Sequence, residues 1–242
     1  MNNSRPQLFG MLAGLFLACG LVLSSMLVTT TWLKVKNSQF ITSKGSTRKN
    51  VKSDLIIWQG NFNVEAGTLL DAQRELKTDL VAVGQFLTSN GVTNFVFKPI
   101  EIMELKATKD ADGWKQERTT GYHLTQSVCV ESEDVEKIAK LDTTPLVERG
   151  ILFTTEPPQF IYTKVAEEKI EMLADATKDA RARAEQIAAQ GGRTIANLHD
   201  AEMGVFQITA LHGNSTSDEG ENDTSSLDKT ITAVVTATFL LK

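Results

Sequence analysis

A chain of 242 residues, 41% hydrophobic and 23% charged, has the composition of a globular protein, with room for one domain of about 200 residues or two smaller ones beside an anchor. Its net charge of −5 is unevenly placed: residues 1–53 hold seven Lys or Arg and no acid, so the remaining 18 basic residues face all 30 acidic ones, a net of −12. That acidity excludes nucleic acid as the main partner, and two cysteines, Cys19 and Cys129, exclude a disulfide framework or metal knuckle.

No charged residue lies between Arg5 and Lys34, and residues 8–33 are continuously apolar or small. A helix of that length crosses a hydrocarbon core of roughly 30 Å with some tilt, and Trp32 stands where an interfacial aromatic belongs. Residues 1–7 then read as a cytoplasmic N-terminus and 8–33 as a transmembrane anchor or uncleaved signal. A cleaved signal would want a shorter core and a better small-x-small site. Leu17-Ala18-Cys19 hints at a lipoprotein site, but Phe16 fits it badly. Residues 34–53 read as a basic juxtamembrane neck. Lys34, Lys36, Lys44, Arg48, Lys49 and Lys52 would meet anionic headgroups or simply keep a linker solvated. Charge counting alone leans towards a cytoplasmic body.

From Asp54 onward the chain alternates strands and helices, and residues 54–242 form the soluble domain. Leu55, Ile57, Phe62 and Val64 mark a strand. Thr68-x-x-Asp71 starts a helix through Leu69, Ala72, Leu76, Leu80, Val83 and Leu87, which stops at Asn90-Gly91. Residues 95–105, interrupted by Pro99, and 115–130 read as a long hairpin about a turn at residues 110–113. Ser132 starts a short helix with acids in its first turn. Pro145 begins another turn, ending at Gly150. Residues 151–163 form a strand broken by Pro157-Pro158, which suggests an edge or bulge. After a long helix come a strand over 194–211, an acidic solvated loop and a last strand over 229–240. The order β-α-β-β-α-β-α-β-β predicts an α+β domain, an antiparallel sheet with helices mainly on one face. Its first six elements match a ferredoxin-like split unit.

The long helix, residues 165–190, organises the rest. Ala166, Ile170, Leu173, Thr177, Ala180, Ala184 and Ile187 recur at spacings of four and three, which lays a stripe along one side. Rich in Ala, it buries little area per turn but admits a partner surface closely, either this domain's own sheet or a neighbouring subunit. Asp179 and Arg183 stand in favourable i,i+4 order, and Gly191-Gly192 supply a stop.

No pattern of reactive residues stands out. His123, His199 and His212 lack metal-ligand spacing, and no nucleophile elbow, HExxH or phosphate loop occurs. Cys129, between Val128 and Val130 and beside Glu131, lacks the positive field a thiolate needs. The acidic loop is not an EF-hand and reads as a solvated loop, with a weak divalent-cation or partner contact as the alternative. Asn214 and Asn222 sit in N-x-[ST] sequons, which matter only in a glycosylating pathway. No catalytic residue, cofactor or metal is expected.

The run from Lys169 through Gly192, then Ala201-Glu-Met-Gly-Val-Phe-Gln-Ile208, resembles bacterial SIMPL-domain proteins. So does Ile41-Thr-Ser-Lys-Gly45-Ser followed by Ser53-Asp54-Leu-Ile-Ile-Trp58. The resemblance covers about residues 40–242 and places a first strand near Ile41, where Ser43 replaces an expected aliphatic residue and suggests fraying. It implies an exported domain on the periplasmic side of a bacterial inner membrane, ring-like homo-oligomers and a link to oxidative-stress defence. The expected protein is therefore a non-enzymatic, single-pass envelope protein whose partners are itself and the bilayer, with any small ligand unknown. The alternative is a monomeric extracytoplasmic module that binds a small ligand or a partner's strand.

Overall fold

The computed structural model describes residues 5–37, 39–107, 118–213 and 217–242. The elements in order are α1 (Arg5–Asn37), β1 (Phe40–Lys52), β2 (Leu55–Ala66), α2 (Leu69–Ser89), β3 (Phe95–Phe97), β4 (Glu101–Ala107), β5 (Arg118–Ser132), α3 (Val135–Ala139) and α4 (Thr144–Glu148). There follow β6 (Leu152–Thr155), β7 (Gln159–Ile161), α5 (Val165–Gln190), β8 (Ile195–Met203), β9 (Gln207–Ala210) and β10 (Asp228–Leu241). The α+β class holds, with two antiparallel sheets. The expected hairpin turn at 110–113 and the sequon at Asn214 lie outside the described residues.

Within α1, Gly10–Leu33 is long and apolar enough to cross a membrane, and its side chains are exposed. The chain divides into two compact units. One comprises Met1–Thr47, Leu173–Gly204 and Val234–Lys242; the other comprises Arg48–Met172 and Val205–Ala233.

The larger unit is built on a six-stranded sheet, with β6 and β7 on one side of β2, then β5, then β3 and β4. Every pairing is antiparallel, which is the ferredoxin-like strand order foreseen from the first six elements. Period-two alternation in β2 sends Ile56, Trp58, Phe62 and Val64 to the helix side, where they meet Ala72, Leu76, Val83, Phe86 and Leu87 of α2. Trp58 and Phe153 stack with centroids 6.0 Å apart. Gly60 makes room for them, since a Cβ there would lie 2.2 Å from the Phe153 ring. Thr68 caps α2, accepting a hydrogen bond from Asp71 N. Pro99 splits the expected single strand into β3 and β4 by removing a ladder donor. Gln126 fills the gap, donating from Nε2 to Lys98 O at 2.9 Å.

In the smaller unit the last two-thirds of α5 lies against β1 and β10, with β8 on the far side of β10. The buried line of the helix differs from the expected stripe. Met172, Ala176, Ala180, Ala184 and Ala188 are buried, Leu173 and Thr177 are half-buried, and Ala166, Ile170 and Ile187 are exposed. A line stepping always by four winds about 40° around the helix at each step, so it tracks a twisted sheet, which a four-three stripe does not. The second correction concerns the neck. Residues 40–52 are strand β1, with no fraying at Ser43, which is buried. A basic stretch that alternates outward with Ser43, Gly45 and Val51 inward makes an ordinary half-buried strand.

Gly45 decides how close helix and strand approach. A Cβ there would stand 2.1 Å from Ala176 O and 2.2 Å from Ala180 N, both backbone atoms. Ser46 N donates to Asp179 Oδ2 at 2.8 Å, which pins the same turn and holds the Asp179 carboxyl below its usual range. Gly45→Val is expected to cost about 3 kcal/mol or more, and Ala180→Glu a similar amount through a buried unpaired charge. Urea unfolding of each variant measures this; unchanged midpoints would refute the close packing.

Candidate functional site

The residues proposed from sequence to meet the membrane fare unequally. Side chains of Lys34 and Lys36 lie outside the described set. Lys44 and Arg48 are exposed on β1. Lys49 instead faces α5, where Glu168 stands at 2.5 Å and Glu171 at 2.9 Å. Glu168, then Glu171, hold the Lys49 ammonium above its usual range, and Lys49 lowers Glu168 in return. Lys52 pairs with Glu136. Two of the six cations are thus engaged with acids of their own domain. Arg183 pairs with Asp179 at 2.9 Å as expected, and Arg181 with Glu185 at 3.0 Å.

The acidic loop is not simply solvated. Gln207 grips it, donating to Ser217 O and accepting from Ser217 N and Glu221 N. Ile208 N donates to Glu221 O, Asp223 N to Ile208 O, Phe160 N to Thr224 O and Ser53 N to Leu227 O. At its base Lys229 is 1% exposed, with its ammonium donating to Asp223 O and lying 3.8 Å from Asp223 Oδ2. Burial pushes the Asp223 carboxyl up, but hydrogen bonds from Ser225 and Ser226 and the Lys229 charge outweigh it and hold the group at about 2. Burial lowers Lys229, against the pull of Asp223. The loop is a strap tied down by one buried ion.

Two surfaces of the six-stranded sheet stay open. Among the described residues β3 and β4 pair only with β5, so no further strand covers their outer edge. Val96, Ile100, Ile102 and Met103 are exposed along it. Behind that edge, Leu80, Val81, Gly84, Phe95 and Phe97 line an apolar groove of about 530 Å³ between α2 and β3.

The sheet face away from α2 is polar. Gln59, Asn61, Asn63 and Glu65 alternate along β2 opposite Cys129, Ser127, Thr125 and His123 of β5. Lys98 Nζ donates to Gln59 Oε1 at 2.6 Å, while Gln59 and Asn61 both donate to Glu156 Oε1, at 2.8 and 3.0 Å. Further along, His123 Nδ1 lies 2.9 Å from Glu65 Oε1 and His123 Nε2 lies 3.1 Å from Thr125 Oγ1. Sequence reasoning missed this face, although the period-two spacing of Gln59, Asn61, Asn63 and Glu65 was a signal. Cys129 and Cys19 are free, and among the described residues no cluster of three His, Cys, Asp or Glu could hold a metal.

The family model for SIMPL, a protein of unknown function, matches residues 41–239. The chain is a SIMPL-domain protein. A search of curated proteins finds no match. The matched span begins within β1 and ends within β10, so the SIMPL domain includes the strand read at first as a neck.

Removing the Lys229 charge should leave the half-buried Asp223 carboxylate without its counterion. Lys229→Met is expected to destabilise the domain by about 3 kcal/mol, with partial recovery in the Lys229→Met, Asp223→Asn double variant. Because the folded pKa of Asp223 is depressed, its contribution is complete above the ordinary carboxylate pKa. It falls away as pH drops towards about 2, a loss of about 2 kcal/mol. Denaturant midpoints between pH 5 and pH 2, flat in Asp223→Asn relative to wild type, check the assignment.

Proposed function

We propose that this SIMPL domain is held at a bilayer by α1 and acts mainly by contact with copies of itself. The observation that carries this reading is the β3–β4 edge. Unpaired strand edges that bear exposed apolar side chains are templates for pairing with another chain, and natural monomers usually blunt them. Here Pro99 and the acids Glu101 and Glu104 interrupt the edge without covering Ile102 and Met103. An anchor confines copies to two dimensions and raises their effective concentration, which favours contacts too weak to hold in free solution. A periplasmic location, a closed ring and a role in oxidative-stress defence belong to the same proposal and rest on family resemblance. Assembly of this kind requires no turnover and no cofactor.

The apolar groove between α2 and β3 favours a second reading, a monomeric module that receives an apolar ligand. Mass measurement in mild detergent separates the two. A defined multimer is expected for the full chain, with Ile102→Lys and Met103→Lys shifting it towards monomer at unchanged melting temperature. A wild-type monomer would sink the assembly reading.

A further inference from the structure

The Glu65–His123–Thr125 contact goes beyond assembly and is independent of it. Glu65 stands directly opposite His123 on the neighbouring strand, and Thr125 follows His123 by two on the same strand, so strand pairing alone puts the three on one face. The two ring nitrogens have different partners. Nδ1 lies 2.9 Å from the Glu65 carboxylate and Nε2 lies 3.1 Å from the Thr125 hydroxyl. An ionised carboxylate only accepts, so a neutral ring carries its proton on Nδ1 and leaves Nε2 to accept from Thr125 Oγ1. The hydroxyl is thereby hydrogen-bonded to a base, and the base is oriented by a carboxylate, the arrangement by which a weak alcohol is made nucleophilic.

The surroundings supply two further features. Asn63 lies directly opposite Thr125, and its side-chain amide makes no hydrogen bond among the described residues. Directly opposed side chains on paired strands stand about 5 Å apart at Cβ, within reach of an oxygen formed on an acyl group at Thr125. On the other side of β5, Glu101 faces Thr125 and Met103 faces His123 from β4. Both are exposed, so the face is open to solvent and to a substrate.

We infer that Thr125 is a nucleophile for activated carboxylic esters, with His123 as general base, Glu65 positioning the imidazole and Asn63 donating to the oxyanion. In the first half-reaction Thr125 Oγ bonds to the carbonyl carbon and its proton passes to His123 Nε2. The tetrahedral intermediate then collapses, the ester C–O bond breaks, and the leaving alcohol takes that proton. In the second half-reaction water, deprotonated by the same nitrogen, adds to the acyl-threonine. Its collapse returns the proton to Thr125 and releases the acid.

The full chain in mild detergent, incubated with p-nitrophenyl acetate and mapped by peptide mass spectrometry, tests this. Acetylation at Thr125 with release of p-nitrophenolate is expected. Thr125→Val should abolish the label, Thr125→Ser should retain it, and His123→Gln should slow it by about a hundredfold. Each variant is to melt as wild type does; if Thr125→Val does not, the contrast between Thr125→Ser and His123→Gln carries the test. Acetyl groups confined to lysines, or a Thr125 label formed equally fast in His123→Gln, would overturn the assignment. Either result would leave the assembly reading untouched.

Discussion

Close approach of two backbones governs the smaller unit. At Gly45 no side-chain atom separates β1 from α5, and the helix answers with alanines at every fourth position from Ala176 to Ala188. Such packing gains little from transfer of large side chains and much from dense contact between main-chain surfaces. It also tolerates little variation, because neither partner has a flexible side chain that can move aside. Phe239 and Val235 of β10 supply the bulk that the alanines do not.

The larger unit solves the opposite problem. Its six-stranded sheet has large side chains on the helix side, including Phe62, Leu124, Val128 and Val130. On the other side run amides, hydroxyls, a histidine and carboxylates. One-sided covering of an antiparallel sheet leaves a face that need only be compatible with water. Here Gln59 and Asn61 bond to Glu156, Lys98 to Gln59, and Glu65 to His123 across paired strands, and such bonds restrict the rotamers of the side chains that make them. Fixed orientation is what distinguishes the His123 contacts from a scatter of solvated polar groups, and it comes without cost to the core beneath.

Much of this was readable from the residues. The bounds of α5, the cap at Thr68, the breaks at Pro99 and Pro157-Pro158 and the last strand follow from local rules of periodicity and chain stereochemistry. The stripe on α5 was half right, because sequence spacing cannot say how strongly the surface beneath is twisted. Ile170 and Ile187 fit a four-three pattern but point to solvent. The strand at 40–52 looked like a neck because its outward residues are cationic, and composition masks an inward face of buried Ser43 and Gly45 and half-buried Val51. The polar face was hidden for another reason. Glu65 and His123 are 58 positions apart in the chain, and only the register of β2 against β5 makes them neighbours.

The strap over residues 217–228 has a practical meaning for anyone shortening this protein. By composition it is the segment an engineer would trim first, being rich in Asp, Glu, Ser and Thr. Yet among the described residues it is Asp223 in this strap that meets the buried Lys229 ammonium, through its backbone carbonyl and its carboxylate. Cutting it away would strand a bare cation in the protein interior, so a stretch that looks dispensable by composition is one the fold needs.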